Sequence, residues 1–86
     1  MDEYDVVFAR PARKELEALA EDIQDRVLVR VVTLATEPRP SGCKKLSGSG
    51  DLWRLRVGDY RVVYSINDTQ RLIDVIAVRH RSEAYR

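Results

Sequence analysis

Hydrophobic and polar positions recur along this chain at two different periods. Residues 4–8 (YDVVF) form a short run rich in Val and aromatics, which predicts a strand. Pro11 follows, suited to a first helical turn because those N–H groups have no intrahelical partner. Ala12, Leu16, Leu19, Ala20 and Ile23 then share one helix face, with Glu15, Glu17 and Glu21 off it. Residues 23–35 carry Val27, Val29, Val31 and Val32, which favour a strand by propensity. Their spacing favours a helix. Arg26, Arg30, Thr33 and Glu37 make a polar line, Val27, Val31, Leu34 and Ala35 an apolar one, and the segment is long for a strand. We expect a second helix with Asp22 as its N-cap, ending before Pro38, so that the two helices form a hairpin.

Residues 38–51 (PRPSGCKKLSGSGD) read as a loop by composition. Three strands follow. Residues 52–57 alternate, with Trp53, Leu55 and Val57 on one face and Arg54 and Arg56 on the other. Residues 60–66 place Tyr60, Val62, Tyr64 and Ile66 on the core face and Arg61 opposite. Only Gly58 and Asp59 separate these strands, and a two-residue loop with Gly first predicts a type II′ hairpin. Residues 72–78 are apolar on nearly both faces, which predicts an interior strand. The expected order is β-α-α-β-β-β: an α+β domain over residues 1–86, with a helical hairpin on one face of a small, mostly antiparallel sheet.

Composition narrows the possibilities. In 86 residues, 44% hydrophobic and 34% charged, no apolar run approaches the ~18–20 residues a bilayer requires. The acidic start MDEYDVVF does not resemble an export signal, and the single Cys43 excludes an intramolecular disulfide or a Cys-based zinc cluster. A small cytoplasmic protein is expected. The net charge of +1 conceals an asymmetry: residues 1–37 hold five basic and nine acidic residues, whereas residues 38–86 hold ten basic and five acidic. Such separation points to a face for an anionic partner, or to chance clustering on a solvated surface.

The hairpin sharpens that choice. A Gly58-Asp59 turn sets Val57 opposite Tyr60, hence Arg56 opposite Arg61, with Arg54 diagonal to Arg61. Like charges directly opposite one another destabilise a sheet, so the three guanidiniums call for a counter-charge. A phosphodiester supplies it, because arginine forks match phosphate oxygens bidentately; acidic side chains from elsewhere or a partner protein are the other solution. The last strand, running antiparallel, brings Arg79, His80 and Arg81 towards Arg56 and Arg61, with Tyr85 able to stack on a base or to cap the core. His80, the only histidine, is a candidate proton acceptor among cations or a structural residue. Lys44 and Lys45 add RNA-binding charge or simply solubility. There is no Gly-rich phosphate loop, paired carboxylate, nucleophile triad or metal-ligand cluster, so no cofactor or metal is expected. Arg, His and Tyr suit RNA cleavage, in which the substrate's own 2′-OH attacks and the protein orients, shuttles protons and stabilises charge.

The block DLWRLRVGDYRVVYSI (residues 51–66), with VIAVRHRSEAY (residues 75–85) and KKLSG (residues 44–48), resembles the RelE/ParE superfamily of toxin–antitoxin toxins over essentially the whole chain. The RelE-like branch implies a ribosome-dependent mRNA endonuclease that blocks translation and is neutralised by a cognate antitoxin, with DNA reached only through that antitoxin. It also implies catalytic roles for Arg54, Arg56, Arg61, Arg79 and Tyr85, Arg79 only across a short gap. Well-known RelE toxins have lysine at the positions of Arg54 and Arg56, one of them a general base. Arginine is a poor base, so His80 becomes the substitute candidate. The ParE-type branch implies instead a gyrase inhibitor without nuclease activity.

Overall fold

The computed structural model describes residues 3–46 and 51–80. Strand β1 (Asp5–Phe8) is followed by helices α1 (Arg10–Glu17) and α2 (Glu21–Thr33), then by strands β2 (Cys43–Lys45), β3 (Leu52–Val57), β4 (Tyr60–Asn67) and β5 (Leu72–His80). The strands form one mixed sheet in the order β1-β5-β4-β3-β2, in which β1 runs parallel to β5 and every other pair is antiparallel. The expected α+β architecture, two helices packed on a mostly antiparallel sheet, is therefore observed, with one more strand than expected.

The helical reading of residues 23–35 holds, and burial shows why. Val27, Val31 and Leu34 are essentially inaccessible, whereas Val29 and Val32 are about two-thirds exposed. This is a period near 3.6, not 2. Two details differ from expectation. Helix α1 stops at Glu17, so Leu19 and Ala20 belong to the connection, and Ala20, in extended conformation, is the N-cap of α2. Asp22 lies inside the first turn of α2 instead of capping it. The break is held by Gln24, whose Nε2 donates to the carbonyls of Leu19 (2.8 Å) and Glu17 (3.3 Å). It satisfies carbonyls that the end of a helix leaves exposed.

Strand β2 lies within the segment expected to be loop. Its three residues pair with β3 as Cys43↔Leu55, Lys44↔Arg54 and Lys45↔Trp53. Gly42, at φ +95°, turns the chain into it. The approach is anchored from the core, because the Tyr64 hydroxyl, on a fully buried ring, donates to the Pro38 carbonyl at 2.9 Å. Burial, and then the neighbouring Cys43, push the Tyr64 phenol well above its ordinary range.

Ala12 and Leu16 of α1 and Val27, Val31 and Leu34 around α2 pack against Leu55, Val57, Val62, Tyr64, Ile66, Ile73, Val75 and Val78 of the sheet. On β5 that core set is spaced 73, 75, 78. The odd step is absorbed by a register shift: Val63 pairs with Ala77 and Tyr64 with Val75, leaving Ile76 as the extra residue of a bulge.

Candidate phosphate-binding site

The β3–β4 hairpin turns as its sequence dictates. Gly58 has φ +59° and Asp59 does not share the left-handed region, as a type II′ turn requires. The pairing runs from Val57↔Tyr60 to Leu52↔Ser65, with Arg56↔Arg61 and Arg54↔Val63. Beyond Arg61 the β5 bulge takes effect. Had the register of Tyr64↔Val75 continued, Arg61 would face Val78; the extra residue brings Arg79 opposite Arg61 instead. Arg56, Arg61 and Arg79 thus form a row across three adjacent strands.

Strand alternation points this row away from the helices, since the neighbouring row Leu55–Val62–Val78 is core. On the same outer face Lys44 of β2 stands opposite Arg54 of β3. Gly42, Lys44, Arg54, Arg56 and Arg61 line one cleft of about 240 Å³. The three hairpin arginines therefore share a single site, joined by a lysine from the edge strand. Their settings differ. Arg61 is only 8% exposed, with Nε and Nη1 buried, whereas Arg56 is exposed and its Nε donates to the Gly58 carbonyl at 3.1 Å. A buried guanidinium with like charges beside it is costly unless an anion shares the space.

The other candidate residues lie elsewhere. Arg79 shares the row at its backbone, but its side chain reaches α1, where Nε donates to Glu15 Oε2 at 2.9 Å. His80 does not join the cleft arginines, because alternation turns it to the opposite face from Arg61. There its ring meets Tyr60 edge-on, with centroids 5.3 Å apart. Both rings line a cavity beside α1, together with Leu19, Glu15 and the Arg79 side chain that Glu15 holds. Lys45, one residue past Lys44, pairs with Trp53 and faces away from the cleft. Arg81 and Tyr85 lie outside the described residues. Reasoning from sequence missed Glu15 and Gly42. Glu15 carried no signal beyond an acidic position off the apolar stripe, while Gly42 was hidden in a loop-like composition. Among the described residues no group of three or more His, Cys, Asp and Glu is gathered to hold a metal ion, and no helix is long and apolar enough to cross a membrane.

A second polar cluster lies where the first residues meet the β4–β5 turn. Asp68 accepts from the Tyr4 hydroxyl at 2.6 Å and from Arg39 Nη2 at 2.9 Å, and Arg39 also lies over the Trp53 ring at 5.2 Å. The hydrogen bond from Arg39, then that from Tyr4, holds the Asp68 carboxyl below its usual range. This cluster ties the β2 approach to the turn and contains none of the cleft residues.

Comparison with known proteins identifies the family. Residues 6–85 match the family model of the ParE toxin of type II toxin–antitoxin systems, parDE. The chain is 33% identical over 86 residues to the mRNA interferase toxin RelE of Escherichia coli K12, covering 95% of this chain and 90% of that protein. It is 32% identical over 84 residues to Toxin RelE of Mycobacterium tuberculosis, covering 96% and 87%. Among solved structures, the archaeal RelE–RelB complex from Pyrococcus horikoshii OT3 superposes with a TM-score of 0.83 at 34% identity, over 95% of this chain and 99% of that one. The intact E. coli RelBE toxin–antitoxin complex gives 0.78 at 29% identity, over 90% and 95%. With a family match spanning nearly its whole length and relatives above 30% identity, the chain belongs to the ParE toxin family of type II toxin–antitoxin systems.

Proposed function

We propose that this chain is the toxin of such a system and acts as an mRNA endonuclease on the ribosome, blocking translation until a cognate antitoxin neutralises it. The observation that carries the reading is the cleft in which Lys44, Arg54, Arg56 and Arg61 converge from three strands. Four cations around one small space match the charge that builds on a phosphodiester as a 2′-hydroxyl attacks the adjacent phosphorus. Arg61, buried at the centre, holds the phosphate in place. Arg54 and Lys44 approach from one side and Arg56 from the turn, so several charge-assisted hydrogen bonds converge on one group. The guanidiniums take the charge that a metal ion takes in other nucleases, and the reading needs no bound metal.

The cleft's contribution is electrostatic and positional. Among the described residues its lining includes no imidazole or carboxylate, and His80, seated against Tyr60 on the other face, does not reach a hydroxyl held there. In this reading the alignment of the 2′-OH comes from the ribosome, which presents the strand in the A site. Free RNA is then a poor substrate, and the site of action is the cytoplasm. The relatives named mRNA interferase support the endonuclease activity, and those solved with RelB support an antitoxin partner. An antitoxin segment rich in acidic residues would neutralise the same cations, folding as it binds.

The test is 5′-end mapping of transcripts after brief induction, comparing the wild type with Arg61→Ala. New 5′ ends within translated regions, absent in the variant, are expected. Intact transcripts together with gyrase-dependent DNA damage would replace this reading by gyrase inhibition.

A further inference from the structure

The β1–β5 pairing ends at Phe8↔Val75, closed by the Ala9 N–H donating to the Val75 carbonyl at 2.9 Å. Beyond that point β5 has no strand on its outer side among the described residues, and α1 lies there instead. One carboxylate from α1 makes two contacts with this edge. Glu15 Oε1 accepts the Val78 backbone N–H at 2.9 Å, and Oε2 accepts Arg79 Nε at 2.9 Å. The first bond fixes the carboxylate to the sheet, and the second fixes the guanidinium to the carboxylate. Arginine offers five N–H donors in a rigid plane. Held at Nε, it leaves the edge between the two Nη groups outside this bond, and the Arg79 side chain stays 46% exposed. The same contact sets a negative charge beside the arginine that faces Arg61 in register, easing the repulsion within the row.

We propose that Glu15 is a positioning residue, setting the plane of the Arg79 guanidinium so that its Nη edge meets the substrate phosphate backbone further along the strand from the Arg61 cleft, where Arg79 borders the cavity it shares with Tyr60 and His80. The proposal rests on the nuclease reading above and deepens it, by assigning a residue of the first helix to a site otherwise built from strands. A carboxylate that merely capped the Val78 N–H would need one oxygen; the second oxygen, on Nε, is what couples α1 to the site. Carboxylates that orient a metal-ligating side chain change affinity or activity by about 10–100-fold when removed, and an effect of that order is expected for one that orients a phosphate-binding arginine.

The test is steady-state cleavage of mRNA on programmed ribosomes by the full chain, with circular dichroism confirming that each variant is folded. Glu15→Ala is expected to lower kcat about 10–100-fold with KM within about twofold. Glu15→Gln, which keeps one accepting oxygen and the side-chain length, falls between Glu15→Ala and wild type. Introduced into Arg79→Ala, Glu15→Ala is expected to add less than about a twofold further loss, as for two residues acting as one unit. On the same samples the Arg79 Nε–H resonance, protected from exchange in the wild type, is expected to exchange freely in Glu15→Ala. Full losses that multiply in the double variant overturn the proposal, as does an active wild type left unchanged by Glu15→Ala. A wild type that leaves ribosome-bound mRNA intact overturns the nuclease reading, and the proposal with it.

Discussion

Replacing Arg61 by methionine should make the protein more stable and at the same time inactive. Arg61 is 8% exposed and has a like charge in register on either side, Arg56 on β3 and Arg79 on β5. Directly opposed like charges destabilise a sheet, here taken per pair as about 0.2–1 kcal/mol, the amount by which a favourable cross-strand pair stabilises one. The two pairs do not weigh equally here. Arg56 is exposed, so solvent screens part of its repulsion, and Arg79 is countered by Glu15 at 2.9 Å. We therefore expect a gain near the lower half of the summed range, about 0.5–1 kcal/mol in total. Methionine is unbranched and adaptable enough to follow the path of the arginine stem without opening a large void. The gain should appear as a rise in Tm of about 2–8 °C, given about 4–8 °C per kcal/mol for a domain of this size. Urea denaturation of wild type and Arg61→Met at low ionic strength measures it directly. Repeating the comparison at about 1 M salt, where the Debye length shrinks to about 3 Å, should reduce the difference through the exposed Arg56, while the part arising from buried charge is screened much less. A loss of stability of about 1 kcal/mol or more at low salt would refute the reasoning, because Arg61 would then be a net structural ion. A gain indifferent to salt would refute it too, by showing that repulsion is not its source.

Other outcomes follow from single features of the fold. Gly58→Ala should cost about 1–2 kcal/mol in urea denaturation; the added Cβ meets nothing within 4 Å, so the penalty is that of an L-residue held at φ +59°. Tyr64→Phe removes the hydrogen bond to the Pro38 carbonyl and should cost about 0.5–1.5 kcal/mol. Because folding raises the Tyr64 pKa, its neutral form stabilises the fold fully below the unfolded value of about 10, and that contribution is lost as pH climbs above it. Wild type should therefore lose stability steeply above pH 10, and Tyr64→Phe should lose less over that interval. At the acid end, the Asp68 carboxyl should titrate by NMR below the unperturbed ~3.9, and Arg39→Ala should move it back upward. An Asp68 midpoint unmoved by Arg39→Ala would contradict the Arg39–Asp68 bond.

Much of this was legible in the sequence wherever a local rule settled the geometry. A two-residue loop led by glycine determines the β3–β4 register, and register alone sets Arg56 against Arg61. The apolar stripe of α2 outweighed its β-branched composition because Val29 and Val32 fall outside it. The misses are features that only a partner defines. Strand β2 has three residues, two of them lysine, and becomes a strand only because β3 offers it an edge. The bulge at Ile76 could not be read from a segment apolar on both faces, where no alternation betrays a slipped residue. Yet that bulge decides that Arg79, and not Val78, faces Arg61. The position of His80 follows from the same register, one residue on and one face over. The helix break near Ala18 depends on Gln24 bonding backwards to the Glu17 and Leu19 carbonyls, a contact that side-chain periodicity does not encode.

The parallel pairing of β1 with β5 has a consequence for how the protein is made. Asp5 finds its neighbour in Leu72, so β1 waits until β5 has been synthesised. At about 5–20 residues per second that interval lasts several seconds, during which Val6 and Phe8 have no strand to join. Arg79 arrives later still, and the row across β3, β4 and β5 is incomplete until it does. Closing so long a loop is also entropically slow. A copy still being synthesised therefore lacks the completed row, and a partner translated alongside has that delay in which to reach it.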